Sequence, residues 1–236
     1  MRLTLVRLFV AGAGLLSLGG GAQARGAGTR PVPRLTFSTY WGAGGAANRT
    51  VCIDPAGNVY MCGGTGSGNW PTTPGAVQSE LKDGRTDGRR RFADGWVAKI
   101  SHDGKLVFAT LYGGTAPGPE AFFGPSVDPW GYVYCTGRFS STDCPVTPDA
   151  FQRQRGGTKS LHDAVLAVFS PDGRQLVYGS YFGGSGVDMA RHLAVRPDGS
   201  AVYIIGETAS QDLPLVEPLQ RTPAGAFLAR FDLSRR

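Results

Sequence analysis

The sequence predicts an all-β fold made of three tandem units, each of four antiparallel strands, and three observations lead there. An aromatic strand runs into a glycine step three times, at Phe37 to Gly42, Phe108 to Gly114 and Tyr178 to Gly184, with spacings of 71 and 70 residues. A fixed period of this kind outranks local secondary-structure preference. Each unit also carries short β-rich runs paired around Pro/Gly or Asp-Gly turns. The composition agrees: with 36 Gly and 16 Pro in 236 residues and only 18% charged residues, turns are many and long amphipathic helices few.

The first hairpin of each unit follows the glycine step. It reads Val51 to Asp54, a Pro55-Ala56-Gly57-Asn58 turn and Val59 to Gly63 in the first unit. The second unit has Ser126 to Asp128, Pro129 to Tyr132 and Val133 to Gly137, and the third has Leu193 to Arg196, Pro197 to Ser200 and Ala201 to Gly206. Two β-rich runs around such a turn pair antiparallel. A connection follows in which Pro71-Thr72-Thr73-Pro74-Gly75-Ala76-Val77-Gln78 is matched by Pro145 to Gln152 and, less closely, by Pro214 to Gln220. Prolines three apart exclude a central strand, so an ordered loop is expected.

The second hairpin turns at His102-Asp103-Gly104 between Gly95–Ile100 and Leu106–Thr110, and at Pro171-Asp172-Gly173 between Ala164–Phe169 and Leu176–Ser180. Asp-Gly between apolar runs is a strong hairpin signal. In the third unit Gly225 to Phe231 forms the third strand, and Leu35 to Tyr40 is expected to complete that sheet as its fourth. The array is then a β-propeller-like set of three four-stranded antiparallel blades closed by the N-terminal strand. The units are about 35–105, 106–175 and 176–236, within one domain, 35–236.

Phe37 to Tyr40, Asp54 to Tyr60, Pro71 to Gln78 and Asp94 to Ile100 together resemble the bacterial SBBP repeat, a β-propeller repeat family, and the second and third units resemble it more loosely. The resemblance implies a propeller-type fold in a secreted or surface protein and transfers no activity, catalytic residue or cofactor. This chain departs from the repeat with Arg196 where Asp54 and Asp128 stand, Gly225 where Asp94 and Asp163 stand, and Ala46 where Glu120 and Asp188 stand.

Residues 1–24 read as a signal peptide: Arg2 and Arg7, the apolar Leu8 to Leu18, then Ala22-Gln23-Ala24 as a cleavage pattern. The apolar run is too short to span a bilayer. Residues 25–34 form a linker, and the expected address is extracytoplasmic, periplasmic or secreted, with no stable membrane span after cleavage. Loss of Arg2 and Arg7 lowers the net charge from +6 to +4, a mild excess without the basic, aromatic-interleaved face that nucleic acid requires.

Cys52 and Cys62 flank the first hairpin and suggest a cross-strand disulfide, with four buried reduced thiols as the other reading. No metal or other cofactor is expected, since Cys-x-x-Cys spacing is absent and the three histidines are scattered. No catalytic constellation is visible: His102 sits in a turn, and His162-Asp163 has no specified nucleophile. Asp54, Asp94, Asp128, Asp163 and Asp188 flank strands and turns, where carboxylates accept backbone N–H bonds. The runs Gly63 to Gly68 and Gly183 to Gly186 read as turns with positive φ.

The expected function is a non-catalytic binding or scaffold module for protein or carbohydrate. The rival is a propeller enzyme, a lyase or glycoside hydrolase, with acids on the channel face. Ligand-binding candidates are the aromatics Trp70, Phe122, Phe123 and Trp130 and the basic cluster Arg89, Arg90 and Arg91 in the first long loop. Three blades are few for a ring, so a homodimer by edge-strand exchange is a further expectation.

Overall fold

The computed structural model describes residues 33–43, 46–82, 93–116, 118–157 and 162–233. The chain divides into two units, Met1–Ser38 and Thr39–Arg236. In the first, the described residues 33–38 are irregular and exposed, and the signal-peptide reading falls outside the described residues. The second is all-β, with no helix among its described residues.

Eleven strands form three antiparallel sheets. The first is β1 (Ala46–Ile53), β2 (Val59–Thr65), β3 (Asp94–Ile100) and β4 (Leu106–Tyr112), paired in that order. The second repeats it with β5 (Ala121–Val127), β6 (Val133–Phe139), β7 (Asp163–Phe169) and β8 (Leu176–Phe182). The third holds β9 (Asp188–Val195), β10 (Ala201–Thr208) and β11 (Ala226–Asp232). The hairpins fall where Gly57, Gly104, Gly131, Gly173 and Gly199 take positive φ of 65 to 87°, as the Pro/Gly and Asp-Gly turns require.

Two expectations are corrected. Leu35 to Tyr40 forms no strand, although it alternates in polarity, because strand-like composition does not supply a ladder partner. The third sheet therefore has three strands among the described residues. The Cys52–Cys62 bridge does not form, and all four cysteines are free. A bulge between Asn48 and Thr50 shifts the register so that Cys62 faces Thr50 and Cys52 faces Tyr60.

Period-two alternation in the middle sheet builds two cores. Val165, Ala167 and Phe169 of β7 point to one face, where they join Tyr60, Phe108 and Tyr112 of the first sheet and Phe122, Phe139 and Tyr181 of the second. Ala164, Leu166 and Val168 point to the other, against Ala190, Leu193, Val202 and Ile204 of the third sheet. β7 is thus buried along its whole length, like a central strand covered on both faces. The Pro-x-x-Pro loops are ordered as expected and run along the outer strands. Thr73 N donates to Ala109 O at 3.0 Å and Leu111 N to Gln78 O at 2.9 Å. In the second sheet Thr147 N donates to Gly179 O and Tyr181 N to Gln152 O, each at 3.0 Å. Loop backbone thereby satisfies the edges of β4 and β8.

Candidate functional site

Two features recur from unit to unit: a clamp at each sheet junction, and a bulge in the first strand of each sheet.

At the first junction four successive backbone N–H groups after β4 each meet a side chain. Gly113 N donates to Gln78 Oε1 at 3.0 Å, Gly114 N to Glu120 Oε2 at 2.9 Å, Thr115 N to Asp143 Oδ1 at 2.9 Å and Ala116 N to Ser141 Oγ at 2.9 Å. The second junction repeats the set. Gly183 N donates to Gln152 Oε1 at 3.0 Å, Gly184 N to Asp188 Oδ2 at 2.7 Å, Ser185 N to Asp212 Oδ1 at 2.8 Å and Gly186 N to Ser210 Oγ at 2.8 Å. Beneath each clamp a second acid is buried. Asp94 accepts from Lys82 N and Gln78 Nε2, and Asp163 from Gly156 N.

Asp94, Glu120, Asp163 and Asp188 are all fully buried. Burial pushes the carboxyls of Glu120 and Asp163 up to about 7, although each accepts backbone N–H bonds that favour the charged form. Asp54 and Asp128 hold turns in the same manner, accepting from Asn58 N in one case and from Trp130 N and Tyr132 N in the other. The glycine runs are corrected here: Gly63, Gly183 and Gly184 do not have positive φ. They are small because other atoms approach; a Cβ on Gly183 would lie 2.7 Å from Asp163 Oδ2 and 2.8 Å from Asp188 Oδ2.

The first strands β1, β5 and β9 sit side by side, with β5 packed against both of the others. Their ladders each shift register once, and the residue at which the register slips is Arg49 in β1, Phe123 in β5 and Arg191 in β9. These positions are equivalent, and the three side chains converge. The guanidinium carbons of Arg49, Arg191 and Arg138, the last from β6, lie 5.0, 5.6 and 5.8 Å from the Phe123 ring centroid, within cation–π range. Arg49 and Arg191 are exposed and Arg138 is half-buried. Arg191 is forked onto Glu207, Nε to Oε1 at 2.9 Å and Nη2 to Oε2 at 3.0 Å. Burial first, and then the charges of Arg49 and Arg191, hold the Arg138 guanidinium below its usual range. Nearby His162 is pulled down by burial, then by Arg138 and Arg155. Arg138 Nε and His162 Nε2 are buried with no hydrogen-bond partner among the described residues.

Of the aromatic candidates, Phe123 alone stands in this centre. Trp70 is 5% exposed and stacks on Trp96 with centroids 4.7 Å apart. Phe122 is a core residue between Tyr112 and Phe139. Trp130 is 49% exposed and lies over the Gly199 turn of the third sheet. Arg89, Arg90 and Arg91 lie outside the described residues. Sequence reasoning missed Arg49, Arg138 and Arg191. The signal available was the repeat alignment, which places Arg49 and Arg191 at one equivalent position of their strands.

The chain matches no protein-family model and no curated protein, and nothing in these comparisons indicates an enzyme activity.

Proposed function

We propose that the chain is an exported, non-catalytic binding module for carbohydrate or protein, built as a propeller-type array of SBBP-like repeats. Three tandem sheets with one strand order, adjacent first strands and the motif resemblance support the architecture. The observation that carries the non-catalytic reading is the use made of the recurring acids. A glycosidase or lyase needs its carboxyls within reach of substrate. Asp94, Glu120, Asp163 and Asp188 are instead fully buried, and each accepts hydrogen bonds inside a sheet junction. The unpaired outer strand of the third sheet supports assembly of two copies through that edge.

The test is gel electrophoresis of the exported chain through embedded neutral and acidic polysaccharides, with a reducing-end assay on the same panel. Retardation without product release is expected. Product release that disappears in Glu120→Gln would replace the binding reading with the enzymatic one.

A further inference from the structure

We propose that Cys62 and Cys135 are a dithiol–disulfide pair, which a small-molecule disulfide such as oxidised glutathione converts into a covalent tie between the first and second sheets.

The pair arises from a one-residue offset between repeats. Counted from the glycine that ends the shared pattern, Gly63 in β2 and Gly137 in β6, Cys62 stands one residue before it and Cys135 two. Successive residues of a strand face opposite sides of a sheet, so the offset turns both thiols into one core. Cys62 lies on the face of the first sheet that meets the second, and Cys135 on the face of the second that meets the first. Both are fully buried, and their thiols are in hydrogen-bonding contact; burial first, and then that contact, push the Cys135 thiol well above its usual range. At the second junction the same two positions hold Thr136 and Ile204, also buried. Thr136 Oγ1 donates to Val165 O at 2.7 Å. The first junction alone therefore carries sulfur on both of its faces at this point.

The other two thiols are placed differently. Cys52 stands opposite Tyr60, and Cys62 opposite Thr50. Cys52 and Cys62 are thus diagonal neighbours on one ladder, about 7 to 8 Å apart, which is beyond the reach of a disulfide. Cys144 Sγ lies against Glu120 Oε1 at 3.8 Å and Ser141 O at 3.9 Å, beside the first clamp.

In the exchange one thiolate of the pair attacks a sulfur of oxidised glutathione, whose S–S bond breaks and releases the first glutathione thiolate. The other cysteine thiolate then attacks the protein sulfur of this mixed disulfide, forms the bond between Cys62 and Cys135, and releases the second glutathione. The pair gives up two electrons and two protons, which end on two glutathione thiols. Thiolate is the attacking form, and burial keeps these thiols protonated in the folded chain. The exchange therefore belongs to folding, and the finished bond is shielded from reductant.

The inference goes beyond the binding-module reading and does not depend on it. The test is refolding of the chain from urea in a mixture of reduced and oxidised glutathione, followed by alkylation of free thiols and peptide mapping without reductant. A peptide pair joined through Cys62 and Cys135 is expected, with Cys52 and Cys144 alkylated. Cys62→Ala should leave its three cysteines alkylated, whereas Cys52→Ala should keep the bridge. If Cys62→Ala does not fold, Cys135→Ala takes its place, and the map of the unmodified chain decides if neither folds. Dithiothreitol should lower the urea midpoint of the bridged chain by about 1 M, because opening the bridge frees the long loop between the two cysteines in the unfolded state. It should not move the midpoint of Cys62→Ala. A refolded chain with all four thiols alkylated, or a bridge that includes Cys52 or Cys144, overturns the proposal. So does a midpoint of the bridged chain that dithiothreitol leaves unchanged.

Discussion

Gly113 shows how a single position is decided by what approaches it. A Cβ there would lie 2.6 Å from Glu120 Oε2 and 2.7 Å from Asp94 Oδ1, so the residue is small in order to let two carboxyls meet above the turn. Gly113→Ala should cost about 1 to 3 kcal/mol, the range for forcing an extra carbon into a packed site. Urea unfolding checks this, and an unchanged midpoint would mean that the junction yields without loss. The glycine run was legible as a sequence feature, but its cause was not. A turn residue betrays positive φ through its neighbours in sequence, as Gly104 and Gly173 do beside their aspartates. Close approach depends on residues from other strands, which local pattern does not contain. Arg49 and Arg191 were hidden for a related reason: alternation locates faces, and a bulge changes the face of one residue without marking the sequence.

At the level of elements, the hairpins and the Pro-x-x-Pro loops could be read directly because their turn chemistry is local. The register of β1 on β2 could not, and the cysteine pairing failed with it. The clamps were half legible: Gln78, Glu120 and Asp94 each stood out by repetition, yet their convergence is a tertiary fact. It has a consequence for pH. Folded Glu120 and Asp163 keep their protons to about pH 7, whereas in an unfolded chain such groups release them near pH 4. Folding stability is therefore present in acid and lost as pH rises toward about 7. Between pH 5 and pH 8 the chain should lose about 2 to 5 kcal/mol over the two junctions. Groups with lowered carboxyls, such as Asp54 and Asp143, titrate below this window and do not interfere. His162, held neutral, opposes the trend toward its acid end. Urea midpoints across this range test the sign, and Glu120→Gln should flatten the slope. A slope of equal steepness in that variant would remove the clamp as its source.

For the whole molecule, two of the three repeat departures fall at the two outer faces of the array. The clamp acids are paired at the junction of the first and second sheets and at that of the second and third, whereas the outward-facing equivalents are Ala46 and Gly225. Sheets one and three could not be joined to further copies by the same clamp at those ends, so the sequence does not specify a third junction of that kind. What it leaves instead is β11, a seven-residue edge strand on which Leu228 is 64% exposed, opposite Ile205 at 50%. Strands β4 and β8 are covered by their Pro-x-x-Pro loops, and no described loop backbone bonds along the outer side of β11. An uncovered edge bearing apolar side chains is a template for another strand. Light scattering of the chain from residue 25 onward should accordingly give twice the monomer mass at micromolar concentration. Replacing Ile205 and Leu228 together by lysine should return it to one, because a charge on each of two cross-strand partners blocks strand addition as well as face packing. A monomer in the unmodified chain would instead show that the edge tolerates water. Assembly would then play no part in how the array presents its arginine centre.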